Sequence, residues 1–171
     1  QTALWHLTHA LLRWMAPFLS FTAEEAWKLF GDSDSIFLEQ FWQLPEPDTA
    51  LLQKWARILD IREEANKQIE RVREQGGVGS SLQAELTLSV TPDDHALLSS
   101  LGEDLKFIFI TSAVQLQAGD ALAVQVQASS HAKCERCWHL RADVGTDAEH
   151  PKLCGRCVSN LYGSGEERHV A

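Results

Sequence analysis

Apolar and polar positions follow a helical period over the first 75 residues of this chain and an alternating period after that. From Thr2 to Met15, Leu4, Leu7, Leu11, Leu12 and Met15 fall at helical spacing, which predicts an amphipathic helix ended by Pro17. Phe21-Thr22-Ala23-Glu24-Glu25 reads as the start of a second helix, with Thr22 and Glu25 forming a capping box and Gly31 stopping the helix after Phe30. Residues 32–47 read as a loop whose apolar members, Ile36 to Leu38, Phe41 and Trp42, are expected to pack onto the helices. No Gly or Pro interrupts residues 48–75, where Leu51, Trp55, Ile58, Ile61, Ala65, Ile69 and Val72 recur at steps of three or four. That is one long amphipathic helix closed by Gly76 and Gly77. Trp5, Trp14, Trp27, Trp42 and Trp55 are expected in the helical core, and His6 and His9 as ordinary helix residues.

Past the Gly/Ser turn at 76–81 the period drops to two. Ala84, Leu86, Leu88 and Val90 alternate with polar residues, the signature of a half-buried strand. Thr91-Pro92-Asp93-Asp94 supplies an N-cap, a first-turn proline and two acids favoured by the helix dipole, so a helix of about ten residues should follow. Phe107 to Ile110 reads as a buried strand, and Leu122, Val124, Val126 and Ala128 as a last alternating one. The fold class predicted is α+β, with a helical region over 1–77, a small β-α-β-β unit over 78–130 and a separate C-terminal module over 131–171.

Composition sharpens this picture in two ways. The apolar stretch from Ala3 to Phe21 is broken by His6, His9 and Arg13, so it fails as a membrane span, and no signal-peptide pattern precedes it. The first residue is Gln1, inside a helical pattern, and the chain reads as a fragment of a larger protein. A net charge of −9 argues at first against a nucleic-acid partner. Its distribution changes that reading: residues 48–75 and 131–171 each carry six basic and six acidic side chains and are neutral, and the rest hold only Arg13, Lys28 and Lys106 against 12 acids. If RNA contacts this chain, it should do so through the long helix and the C-terminal module.

Cys134, Cys137, Cys154 and Cys157 stand in the pattern C-x2-C-x16-C-x2-C, inside the range for a four-cysteine zinc site. Each Cys-x-x-Cys turn puts two sulfurs on one side of a tight knuckle. Four thiolates leave no open coordination position, so one structural zinc is expected rather than a catalytic one. Few other apolar side chains are present in the module: Trp138, Leu140, Val144, Leu153, Val158, Leu161 and Val170, too little to fold unaided. Redox pairs would call for a thioredoxin-like βαβ context that is missing, and disulfides for an export signal. His139 and His150 lie between the knuckles, but the shell is already full.

The string Cys134-Glu135-Arg136-Cys137-Trp138, followed by Leu153-Cys154-Gly155-Arg156-Cys157, closely resembles the C-terminal zinc finger of bacterial isoleucyl-tRNA synthetases. Residues 15–27, from Met15-Ala16-Pro17 to Ala26-Trp27, look like the closing part of the helical anticodon-binding domain of class I synthetases. Arg62-Glu63-Glu64-Ala65-Asn66-Lys67 and residues 78–84 look like the segments that follow it. A similar finger closes the formamidopyrimidine DNA glycosylases, whose other domains do not resemble residues 1–130.

This resemblance implies a parent enzyme that joins isoleucine to its tRNA using ATP and magnesium, of which the chain would be the tRNA-recognition tail on the anticodon side. No catalytic residue is expected here, because neither the His-x-Gly-His nor the Lys-Met-Ser-Lys-Ser signature of the family occurs. The implied partners are the isoleucine tRNA and the remaining domains of the parent, with no membrane, in a cytoplasmic monomer. Trp138, just past the first knuckle, could stack on an unpaired anticodon base, and Arg136 could pair with phosphate or a base edge. Lys67 and Arg71, one turn apart, could track the anticodon stem, with Arg62 and Arg73 on nearly one bearing. Competing readings make Trp138 the cover of the zinc, and the helix cations a solvated face paired with Glu63, Glu70 and Glu74. A zinc ribbon binding protein or duplex DNA is the alternative function.

Overall fold

The structure, a computed structural model, describes residues 2–31 and 33–166. Val170, expected among the module's apolar residues, lies outside them. The chain divides into two compact units, Gln1–Asp48 and Thr49–Ala171.

In the first unit α1 (Thr2–Met15) packs against α2 (Ser20–Phe30) around Leu12, Ala16, Ala23, Trp27 and Ile36. Residues Leu4, Leu7 and Leu11 are exposed instead. Two faces of α1 carry apolar residues, and the buried one bears His9, Ala10, Leu12 and Arg13, with Ala16 just past the helix end joining the cluster around Trp27. The expected capping box does not form. Helix α2 starts three residues earlier, with Leu19 at the N-cap and Ser20, whose Oγ donates to the Ala16 carbonyl, as its first residue, which leaves Thr22 inside the helix. Glu24 rather than Glu25 reaches out of α2, accepting from Ser35 Oγ and the Ile36 amide at 3.0 Å each to hold the 3₁₀ turn Ile36–Leu38. Gly31 stops the helix in an extended conformation, and a Cβ there would sit 2.0 Å from the Trp27 indole, so close approach and not positive φ requires glycine.

Of the five tryptophans expected in the core, only Trp27 is fully buried, while Trp5 and Trp14 are exposed. His9 is also not an ordinary helix residue. It is buried, stacks on Trp42 at 4.4 Å, and its Nδ1 lies 2.6 Å from the Arg13 guanidinium, which can only donate. Arg13 in turn lies over the Trp27 ring and pairs with Glu39 at 2.5 Å.

The second unit opens with α3 (Thr49–Glu74), which buries Ile58, Ile61, Ala65 and Ile69. This face packs on a three-stranded sheet of order β2-β1-β3, made of β1 (Ala84–Val90), β2 (Ala113–Ala118) and β3 (Ala123–Ala128). Periodicity alone groups α3 with the helices before it, whereas its contacts join it to Leu86, Leu88 and Val90. Past Glu74, Gly76 takes φ +76 and the Gly77 amide reaches back to the Val72 carbonyl, a glycine cap of the expected kind. Strand β1 alternates buried and half-buried residues throughout, as its sequence predicts. Thr91 caps α4 (Pro92–Ser99) by accepting from the Asp94 amide, also as predicted.

One element departs from its predicted type. Phe107 to Ile110 is not a strand; it belongs to a short helix, α5 (Leu105–Phe109), ended by Ile110 in the left-handed conformation. A short apolar run does not distinguish buried strand from buried helix. Here Leu105 and Phe109, one turn apart, both enter the core. The second strand lies just beyond, as β2, pairing parallel with β1 from Glu85↔Ala113 to Val90↔Ala118. Strand β3 closes the other side antiparallel. The order β-α-β-β holds, with two helices in the crossover. The C-terminal module adds a small hairpin of β4 (Ala132–Lys133) and β5 (Leu140–Arg141), and a helix α6 (Gly155–Tyr162).

Candidate zinc centre and nucleic-acid interface

The two knuckles are built differently. In the first, the β4–β5 hairpin closes as the Cys134 amide donates to the His139 carbonyl at 2.9 Å and the Trp138 amide returns to the Cys134 carbonyl at 3.0 Å. The second opens α6: Cys154 is its N-cap and Cys157 lies in its first turn. One sulfur atom from each cysteine falls in a group whose members all lie within 4.8 Å of one another. Cys137 Sγ and Cys154 Sγ are 3.7 Å apart, and a tetrahedron with Zn–S bonds of about 2.3 Å has edges of about 3.8 Å. The donor set therefore fits a tetrahedral thiophilic ion.

Electrostatics support the same ion. Burial opposes ionisation of the Cys134 thiol, but the backbone amides of Cys137, Cys154 and Arg136 outweigh it and bring its pKa down to about 6. Burial pushes Cys154 up to about 12 and raises Cys137 as well. Four thiolates this close cannot coexist without a cation, and a divalent metal removes that conflict by deprotonating all of them. Arg136 contributes an N–H to Cys157 Sγ at 3.6 Å.

Several supporting residues carry no signal of their own in the sequence. Asp143 accepts from the Gly155 amide at 3.0 Å and takes the Arg141 guanidinium in a two-point pair, so it ties the hairpin to the second knuckle. Glu135 meets Lys152 at 2.8 Å between the knuckles. Ser112, ahead of β2, donates to the Leu82 carbonyl at 2.6 Å and accepts from the Leu140 amide at 2.7 Å, joining module and sheet. His139 is buried with Nδ1 at 3.2 Å from the Cys137 carbonyl and its ring edge-on to Phe107, and desolvation lowers its pKa. His150 stacks on Tyr162 at 3.9 Å.

Trp138 is 59% exposed, so it is not the module's core. Its backbone sits at φ +67, a costly conformation for a bulky residue, and its indole N–H donates to the Glu135 carbonyl at 3.2 Å. Lys133 Nζ lies 4.9 Å from the ring centroid. The ring faces outward, anchored at its N–H by the Glu135 carbonyl. Arg136 shares this exposed knuckle. Lys67 and Arg71 stand apart on α3, both exposed: Lys67 pairs with Glu63 at 3.1 Å and Glu64 at 3.5 Å, and Arg71 donates to Gln68 at 3.2 Å.

Comparison with known proteins fits this architecture. Residues 1–88, just over half of the chain, match the anticodon-binding domain of tRNA ligases, and the chain belongs to that family. Residues 133–160, which hold all four cysteines, match the zinc finger found in FPG and IleRS, in agreement with one structural zinc. Among curated proteins it is similar to the isoleucine–tRNA ligases of Ralstonia pickettii, 53% identical over 180 aligned residues, and Thiobacillus denitrificans, 55% over 174. The enzyme of the same name from Burkholderia cenocepacia is 54% identical over 177. All of this chain is covered in each case, but only 19% of the relative's length. Among the described residues no helix is long and apolar enough to cross a membrane.

Proposed function

We propose that this chain is the anticodon-side tRNA-recognition tail of an isoleucine–tRNA ligase, a protein that attaches isoleucine to its tRNA using ATP and magnesium bound by domains outside these residues. In this reading Cys134, Cys137, Cys154 and Cys157 hold a structural zinc, and the zinc holds the knuckle that carries Trp138 and Arg136. Trp138 stacks on a splayed anticodon base while Arg136 meets phosphate or a base edge; Lys67 and Arg71 follow the stem from α3. The isoleucine tRNA is the partner, the parent's other domains are the second, and the protein works as a cytoplasmic monomer.

The observation that carries the reading is the outward indole of Trp138, fixed in a strained backbone beside a four-sulfur centre, in a chain whose relatives are isoleucine–tRNA ligases. A ring needed only to cover the metal would be buried. Stacking of a base on an aromatic contributes about 1–3 kcal/mol, so Trp138→Ala in the complete ligase should weaken tRNA charging roughly tenfold or more. Isoleucine-dependent ATP exchange and zinc content should stay unchanged. Zinc lost together with charging would refute direct contact.

A further inference from the structure

We propose that a cleft between the sheet and the zinc module receives one unstacked nucleotide of the bound RNA, a proposal that rests on the tRNA-binding reading above. The cleft measures about 480 Å³, inside the size range of small-ligand sites. It is lined by Glu85 and Ala113, register partners on β1 and β2, by Lys106 of α5, and by His131 and Arg141 of the zinc module. It exists only where the module docks on the sheet through Ser112 and Leu140.

Two cations, Lys106 and Arg141, open onto this cleft among the carboxylates of Glu85, Glu103 and Asp143. Lys106 is the only Lys or Arg between residues 76 and 130, and it opens onto the same space as Arg141 and His131. The partner of Lys106 is Glu103, at 2.8 Å, whose side chain is almost wholly exposed. The Lys106 side chain is itself largely covered, 14% exposed, with its ammonium 5.4 Å from the Phe107 ring centroid, so a phosphate in the cleft would replace Glu103 as the partner of a partly desolvated cation, where a charge-assisted hydrogen bond is strong. Arg141 stays bound to Asp143, and His131 Nε2 lies 4.0 Å from Glu85. Carboxylates of Glu85 and Asp143, together with the Gln115 amide, supply acceptors for base amino groups and ribose hydroxyls.

The shape excludes the obvious competitor. Strand β2 is an edge of the sheet, so its unpaired side offers backbone donors and acceptors. An added peptide strand would run along its whole length, yet only Ala113, Val114 and Gln115 of β2 line the cleft. Three residues of edge beside a cation and acceptors suit a single base with its phosphate, because an unpaired base presents donors and acceptors on one edge.

The test uses the zinc-loaded chain and a short RNA hairpin carrying the isoleucine anticodon loop. Lys106→Met should weaken binding about five- to tenfold and lower the slope of log affinity against log salt by about one, as for loss of one phosphate contact. Ala113→Phe, which fills the cleft without changing charge, should weaken binding to a similar extent with zinc content unchanged. Lys28→Met, in the other unit, should leave affinity within twofold. A photoreactive base in the loop should crosslink to residues 102–115 or 131–143. If the native chain binds the hairpin and Lys106→Met binds equally with an unchanged salt slope, the cleft is not a nucleotide site. If the native chain fails to bind the hairpin at all, the tRNA reading falls and this proposal with it.

Discussion

The sheet and the zinc module lie side by side in one unit, and they are held together by different forces. Around the sheet, Ile58, Ile61, Leu86, Leu88, Leu98 and Phe109 are each almost completely buried, a core made by the hydrophobic effect and close packing. In the module the buried cluster is Cys134, Cys154 and Cys157, with Cys137, Val144 and Leu153 packed against it, while Trp138 and Leu161 are exposed. Metal coordination there stands in for the apolar mass that some forty residues cannot bury. Freed from the core, the largest apolar side chain of the module is available for a ligand. The same economy makes the module all-or-none in its dependence on metal.

Removing the metal should separate the two regions most sharply. Cys154→Ser, or chelation of the native chain, is expected to release zinc and unfold the module from residue 131 onward, since structural zinc contributes about 10–16 kcal/mol of coupled folding energy. The amide spectrum of α3 and the sheet should persist, and its collapse would show that the sheet depends on the metal too. Next in size, Leu88→Ala in β1 leaves a cavity at a fully buried site and should cost about 2–5 kcal/mol in denaturant unfolding of the sheet. Zinc should be retained until that transition; earlier loss would mean that the module leans on the core.

Ser112→Ala attacks the junction. It leaves the Leu140 amide and the Leu82 carbonyl without their partner, at a cost of about 1–2 kcal/mol, and should speed zinc transfer to a chelator more than it lowers the stability of the sheet. The smallest effect concerns the sheet side alone. Arg57, on α3, makes a two-point pair with Asp94 at the start of α4, and this hydrogen bonding, against an opposing burial effect, holds the Asp94 pKa below the usual carboxylate range. A lowered folded-state pKa stabilises the fold above the unfolded value of about 3.9, and that contribution disappears as pH falls through the folded value. With Arg57 half exposed, Asp94→Asn should cost about 1 kcal/mol at pH 7 and progressively less below about pH 4. Zinc loss in acid is common to both chains and cancels in the comparison. An undiminished difference at pH 3 would rule out the ion pair as its source.

Much of this was legible in the order of residues. The cysteine spacing pointed to the metal, because two tight turns joined by a loop of sufficient length can close a tetrahedron whatever surrounds them. Alternation over Ala84–Val90 and the Thr91-Pro92 start of α4 are local signals, set by period and capping chemistry within a few residues. Failures occurred where local signals were ambiguous. The run Leu105–Phe109 is apolar enough for either element, and only packing of both Leu105 and Phe109 into one core selects the helix. Thr22 and Glu25 have capping chemistry, but Ser20 starts the helix first. On α1 two apolar faces compete, and nothing in the period says which one meets α2.

The sequence by itself therefore determined the elements with one clear period, the zinc ligands' spacing and the neutral, cation-bearing segments. Tertiary structure alone decided that α3 packs on the sheet, that His9 and Arg13 share a buried aromatic site, and that Lys106 meets Arg141 and His131 at one cleft. The reason is physical. Periodicity and spacing report interactions between neighbours in the chain, whereas burial, charge convergence and the exposure of Trp138 depend on which distant surfaces meet, and those meetings have no local code.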